Sequence, residues 1–143
     1  MDNFMSLSIA AKSCNEAFAR SVVAAFATPL NPTVDEINDI KTAVSEAVTN
    51  CIVHAYSKDE SGIINIDARL DGNTIHIAIS DNGVGIEDII KARQPFYTTK
   101  GGDDERSGLG FTVMETFMDS LSVAPNGDKG VVVTMSKAIN TEN

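Results

Sequence analysis

Apolar and polar positions first alternate near the amino end, where Met5, Leu7 and Ile9 are separated by polar or small residues. A period of two marks a strand with one buried face, so the first element is predicted as a strand. Ser13-Cys14-Asn15-Glu16 then reads as a capping box, the serine oxygen accepting a backbone N–H and the glutamate reaching back. An alanine- and valine-rich helix is predicted to follow to about Thr28, with Pro29 and Pro32 punctuating the connection. Thr33-Val34-Asp35-Glu36 is a second capping box, opening a long helix to about Tyr56. Ile37, Ile40, Val44, Ala47, Val48, Cys51 and Ile52 recur along it at helical spacing and are predicted to face the core.

Strict alternation returns at Ile64, Ile66, Ala68 and Leu70, breaks at Asp71-Gly72-Asn73, and resumes at Ile75, Ile77 and Ile79. This is a β-hairpin whose second strand ends at Asp81. Glu87 to about Lys91 reads as a short helix. Residues 93–107 show no period and contain Pro95, Gly101 and Gly102. A stretch of that length is usually either a functional lid or disordered. Gly108 opens a further helix with Phe111, Met114, Phe117 and Met118 on its apolar side. Leu121 and Val123 begin a strand, Pro125-Asn126-Gly127-Asp128 turns, and Val131, Val133 and Met135 complete the sheet. The tail, 140–143, is expected to fray. The order predicts an α+β fold: a two-layer sandwich with a mixed, mainly antiparallel sheet and its helices on one face.

Composition narrows this further. At 143 residues, 43% of them hydrophobic, the chain is expected to form one domain over 1–143 with a sizeable core. Twenty acids against 11 bases give a net charge of -9, which argues against nucleic acid as the main partner and fits a protein or small-molecule one. The two cysteines, Cys14 and Cys51, match no zinc spacing and are too few for a disulfide framework. Both are expected to be buried free thiols, in keeping with a reducing, cytoplasmic setting. No apolar run approaches the about 18 residues of a membrane span, and no signal peptide is expected.

Candidate chemistry sits in three places. Glu46, Asn50 and His54 follow four-residue spacing, which stacks side chains on one helical face. Glu46 could accept a proton from an attacking hydroxyl, and the Asn50 carboxamide oxygen could ligate Mg²⁺. Surface positions on an amphipathic helix are the alternative, and a structural or pocket-edge role suits His54 better than catalysis. Asp81-Asn82-Gly83-Val84-Gly85 places a carboxylate at a strand end, able to accept from an amino group such as adenine's. Gly83 and Gly85 would let a ring approach the backbone, although the same string also makes an ordinary turn. Arg106-Ser107-Gly108-Leu109-Gly110 puts bare N–H groups at a helix start, suited to phosphate or simply a glycine-rich helix opening. No P-loop motif occurs. Lys91, Arg93, Lys100 and Arg106 bracket the irregular segment. Neighbouring acids largely cancel them, so they form no nucleic-acid patch but could be aimed individually at a triphosphate.

Glu46-Ala-Val-Thr-Asn50, Asp81-Asn-Gly-Val-Gly85 and Gly108-Leu-Gly110, in that order, resemble the asparagine box and the two glycine boxes of the GHKL ATPase superfamily, to which gyrase and the histidine kinases belong. More narrowly, Ser45-Glu-Ala-Val-Thr-Asn-Cys-Ile-Val-His-Ala-Tyr56, Ala92-Arg-Gln-Pro-Phe-Tyr-Thr-Thr-Lys100, Glu105-Arg-Ser-Gly-Leu-Gly-Phe111 and Phe18-Ala-Arg20 resemble the anti-sigma-F factor family over nearly the full chain. That resemblance implies a small, dimeric serine protein kinase that holds a sporulation sigma factor inactive and phosphorylates an anti-anti-sigma protein. It further implies Glu46 as general base, Asn50 as Mg²⁺ ligand, and Asp81 as reader of the adenine amino group, with Gly83 and Gly85 beside the ring. Thr98, Thr99 and Lys100 would lie in an ATP lid at about 93–107. Arg106 would lie near the γ-phosphate, Gly108, Leu109 and Gly110 along the phosphates, and Arg20 on the partner-binding face. The family usually has Gly-Thr-Thr entering the last strand, where this chain has Gly130-Val131-Val132, so a hydroxyl near the nucleotide is missing. A nucleotide-dependent sigma-binding clamp without catalysis, and the related stress-response anti-sigma kinase, are the rival readings.

Overall fold

A computed structural model describes residues 2–57, 59–83, 106–127 and 129–139. Strand β1 (Asn3–Ala10) leads to helices α1 (Cys14–Ala27) and α2 (Val34–Asn50), then to the hairpin β2 (Ile63–Asp71) and β3 (Thr74–Asp81). Helix α3 (Arg106–Phe117) and the hairpin β4 (Ser120–Pro125) and β5 (Val131–Ala138) follow. The sheet order is β1-β2-β3-β5-β4, and each ladder among the described residues is antiparallel. The sheet is thus the simplest form of the mainly antiparallel arrangement expected.

Register explains the single buried face. Leu7 lies opposite Ile66, Ile66 opposite Ile79, and Ile79 opposite Val133, so apolar side chains line up across four strands. Because side chains alternate, the intervening residues Ser6, Asp67, Ala78 and Thr134 form the opposite face. The three helices cover the apolar side. Ile40, Val44 and Val48 of α2 are wholly buried and join Val23 of α1, Met114 of α3 and the strand isoleucines in one core. Each such isoleucine or valine contributes about 1.5–3 kcal/mol relative to an exposed position. Ile37, predicted for the core, is only half-buried. The turn between β2 and β3 requires Gly72, whose φ of +61 is a left-handed conformation that side chains avoid.

The second capping box forms as read: Thr33 Oγ1 accepts from Glu36 N at 3.1 Å, and Glu36 Oε1 accepts from Thr33 N at 2.9 Å. The first does not. Ser13 itself has helical backbone and makes no side-chain cap. Glu16 is drawn elsewhere, accepting from the Ser45 hydroxyl and from the Arg20 guanidinium. Cys14 is exposed at the start of α1, against the expectation of burial, while Cys51 is buried. At the far end Lys137 of β5 donates to the Phe117 carbonyl at 3.0 Å and pairs with Asp39 at 3.4 Å, locking the close of α3 to α2. No helix among the described residues is long and apolar enough to cross a membrane.

Candidate functional site

Glu46 and Asn50 lie one turn apart on α2, both half-buried, flanking the buried Ala47 and Val48. This is the edge of the core face, as the pattern predicts. Asn50 is distinctive: its Oδ1 and Nδ2 are both shielded from solvent and have no hydrogen-bond partner among the described residues. A buried polar group left unmade costs about 1–3 kcal/mol, so a carboxamide with both ends orphaned suits a bound ligand or ion.

Beyond Asn50 the chain does not continue as the α-helix predicted to Tyr56. Cys51–Ala55 form a π turn, closed by Tyr56 N donating to the Cys51 carbonyl at 3.1 Å. His54 lies four residues beyond Asn50 on this turn and is half-buried. Cys51, Ile52 and Ala55 remain buried.

The π turn abuts the first glycine loop. Asp81 ends β3 with only 3% of its surface exposed. Gly83 N donates to its Oδ1 at 3.0 Å and the Cys51 thiol to its Oδ2 at 3.5 Å. Burial raises the Asp81 carboxyl above the ordinary carboxylate range, and these donors pull it back. The loop backbone is pinned as well. Asn82 N donates to the Tyr56 hydroxyl at 2.8 Å, and that hydroxyl donates to the Ile63 carbonyl at 2.6 Å. Asn126 Nδ2 donates to the Asp81 carbonyl at 2.8 Å. Gly130, with φ +86, passes so close to that carbonyl that a Cβ would lie 2.0 Å from its oxygen.

Gly83 was expected to make room for a ring. Its tightest neighbour is protein: an added Cβ would stand 2.2 Å from the Ala55 carbonyl oxygen. The second glycine loop lies in the opening turns of α3, which begins at Arg106 rather than at Gly108, and α3 packs against α2. Arg106, Gly108, Leu109 and Gly110 therefore share the end of the helix whose first N–H groups lack intrahelical partners. Gly85, Thr98, Thr99 and Lys100, with the short helix from Glu87 and residues 93–105 of the irregular segment, lie outside the described residues, while its last two residues, 106 and 107, open α3.

A family model described as "Histidine kinase-like ATPase domain" matches residues 9–137. The anti-sigma F factor of Clostridium perfringens (strain 13 / Type A) is 55% identical over 141 residues, 99% of this chain and 100% of its own length. The chain belongs to the anti-sigma F factor family. The anti-sigma F factor of Thermoanaerobacter pseudethanolicus is 56% identical over 140 residues, 98% of this chain and 96% of its own. Among solved structures, the RsbU and RsbW domains of Rv1364c from Mycobacterium tuberculosis share the fold at a TM-score of 0.67 and 18% identity, covering 96% of this chain and 32% of that one. The fold and family expected from the motifs are thereby borne out.

For an anti-sigma F family member the remaining residue of interest is Arg20. It sits on α1, its side chain 37% exposed, paired with Glu16 at 2.5 Å and 3.4 Å from Ser45 Oγ. Ser45 immediately precedes Glu46, so this network ties α1 to the α2 turn that carries Glu46. Cys51, Tyr56, Asn126 and Gly130 support the site without having been singled out for it from sequence. Asn126 and Gly130 are marked there only as parts of a turn and a strand start, and Cys51 only as a core position.

Proposed function

We propose that this anti-sigma F family member, acting as one domain over 1–143, binds ATP with Mg²⁺ and transfers phosphate to a serine of an anti-anti-sigma protein. In its other role it holds a sporulation sigma factor inactive, as a cytoplasmic homodimer. The observation that carries the reading is the buried, unpartnered carboxamide of Asn50 one turn from Glu46, on the helix whose next residue bonds Asp81.

The residues fit the group they would hold. Asp81 accepts from a base amino group, with Gly83 and Gly85 alongside. Asn50 Oδ1 supplies one oxygen to Mg²⁺, which takes few protein ligands when phosphates provide others. The N–H groups around Gly108, Leu109 and Gly110 meet phosphate charge, Thr98, Thr99 and Lys100 belong to the ATP lid, and Arg106 serves the γ-phosphate as a catalytic cation. Bound ATP supplies the phosphoryl group, and Mg²⁺ neutralises its developing charge. Glu46 accepts the proton of the partner serine as its oxygen attacks. Arg20 lies on the partner-binding face, held by Glu16 until a partner engages it.

The test is purified protein with γ-labelled ATP, Mg²⁺ and the anti-anti-sigma protein. Label should appear on a partner serine. Glu46→Gln should lower the transfer rate by about 100- to 10,000-fold while ATP binding persists. Transfer by Glu46→Gln at the wild-type rate would remove Glu46 as base. No label, despite ATP binding and complex formation, would leave a non-catalytic clamp.

A further inference from the structure

Among the groups around Asp81, the Cys51 thiol is the one to which the proposed chemistry gives no task. It is 5% exposed and 3.5 Å from Asp81 Oδ2. With Gly83 N on Oδ1, two protein donors converge there. A carboxylate offers about four lone-pair sites and no donor of its own. Two donors fit its ionised form and leave lone pairs for a donor from outside.

We propose that Cys51 is a positioning residue for base selection: by donating to Oδ2 it fixes the Asp81 carboxylate so that a remaining lone pair receives the 6-amino group of a purine and rejects a 6-oxo group. The inference rests on the nucleotide reading above and adds to it what sets the base class. Its physical content is a difference. An ionised, oriented carboxylate attracts an amino group and repels a carbonyl oxygen. A carboxylate that is free to rotate, or that binds a proton, discriminates less. A cysteine that merely fills space would weaken both purines alike.

The experiment is calorimetric titration of wild type, Cys51→Ala and Cys51→Ser with Mg-ATP and with Mg-ITP, whose base carries a 6-oxo group. Thermal melting without nucleotide reports whether each variant is folded. Loss of a net hydrogen bond predicts that Cys51→Ala binds ATP about 2- to 10-fold more weakly, and that the ATP:ITP preference narrows by a similar factor. Cys51→Ser, which restores a hydroxyl donor, should recover the preference. An unchanged ATP:ITP ratio in folded Cys51→Ala, or a serine variant no more selective than the alanine one, would overturn the role of Cys51 while leaving ATP binding standing. Wild-type protein that binds neither nucleotide would overturn the ATP reading and this inference with it.

Discussion

Gly83→Ala is the substitution that tests most directly how the site is built. Gly83 has no left-handed φ, so an alanine backbone is acceptable there and the question is purely steric. The new Cβ would lie 2.2 Å from the Ala55 oxygen, 2.5 Å from its carbonyl carbon and 2.9 Å from its Cβ. Two of these three atoms are backbone, and Ala55, 6% exposed, closes the π turn, so neither side has an easy retreat. Overpacking of this kind costs about 1–3 kcal/mol. Moving the loop away instead breaks the 3.0 Å bond from Gly83 N to Asp81, and a hydrogen bond to a charged group contributes about 1.5–3 kcal/mol. By either route the loss is about 1–3 kcal/mol, which for a chain of this size lowers the melting temperature by roughly 3–10 °C. Thermal unfolding followed by circular dichroism measures it, and titration with ATP measures the accompanying loss of binding. A variant that melts within about 2 °C of wild type and binds ATP normally would show that the close approach to Ala55 is not what demands glycine.

Two further outcomes follow from the surroundings of Asp81. Tyr56→Phe removes a hydroxyl that both accepts from Asn82 N and donates to the Ile63 carbonyl; because water can reach this half-buried ring, the loss should be only about 1 kcal/mol, or about 2–4 °C in melting temperature. A melt unchanged from wild type would mean the bridge contributes nothing. Asp81, held above its ordinary value of 3.8, binds a proton in the native state at pH values where the unfolded chain has released it. Stability from this group is therefore greatest below that window and falls as pH rises through it. Denaturant melts between pH 3 and 7 should show this component in wild type and lack it in Asp81→Asn; identical pH slopes for the two proteins would refute the burial argument.

The fold was largely legible because its decisive signals are local. The β2–β3 hairpin announces itself by alternation on both sides of Asp71-Gly72-Asn73, and the capping box at Thr33 closes between residues three apart in the chain. The box at Ser13 failed for a non-local reason: Glu16 lies next to Arg20 and within reach of Ser45, 29 residues along the chain, and a carboxylate engaged there is not available to the helix end. The π turn was hidden because burial of Cys51, Ile52 and Ala55 is compatible with either helical width. Only the contact with Gly83 distinguishes them.

The site divides along the same line. The residues proposed to touch ligand sit in short contiguous strings, and the string alone suggests the chemistry. The groups that hold Asp81 in place do not: Cys51 is 30 residues from it, Asn126 is 45, and Tyr56 is 26 from the Asn82 it supports. Sheet register brings them together, and no local pattern encodes that. The same distinction bears on the one departure from the family sequence. By the resemblance drawn from the sequence, Val131 stands where the family usually has a threonine, so a hydroxyl is missing there. Yet it is the backbone of position 131 that holds the Asp81 carboxyl down against burial, and valine and threonine present that N–H alike. Its side chain is 5% exposed in the last-formed strand, opposite Pro125. Both residues are β-branched and suit that strand equally. The substitution therefore leaves the orientation of the Asp81 carboxylate intact, and any change in affinity must come from the lost hydroxyl itself.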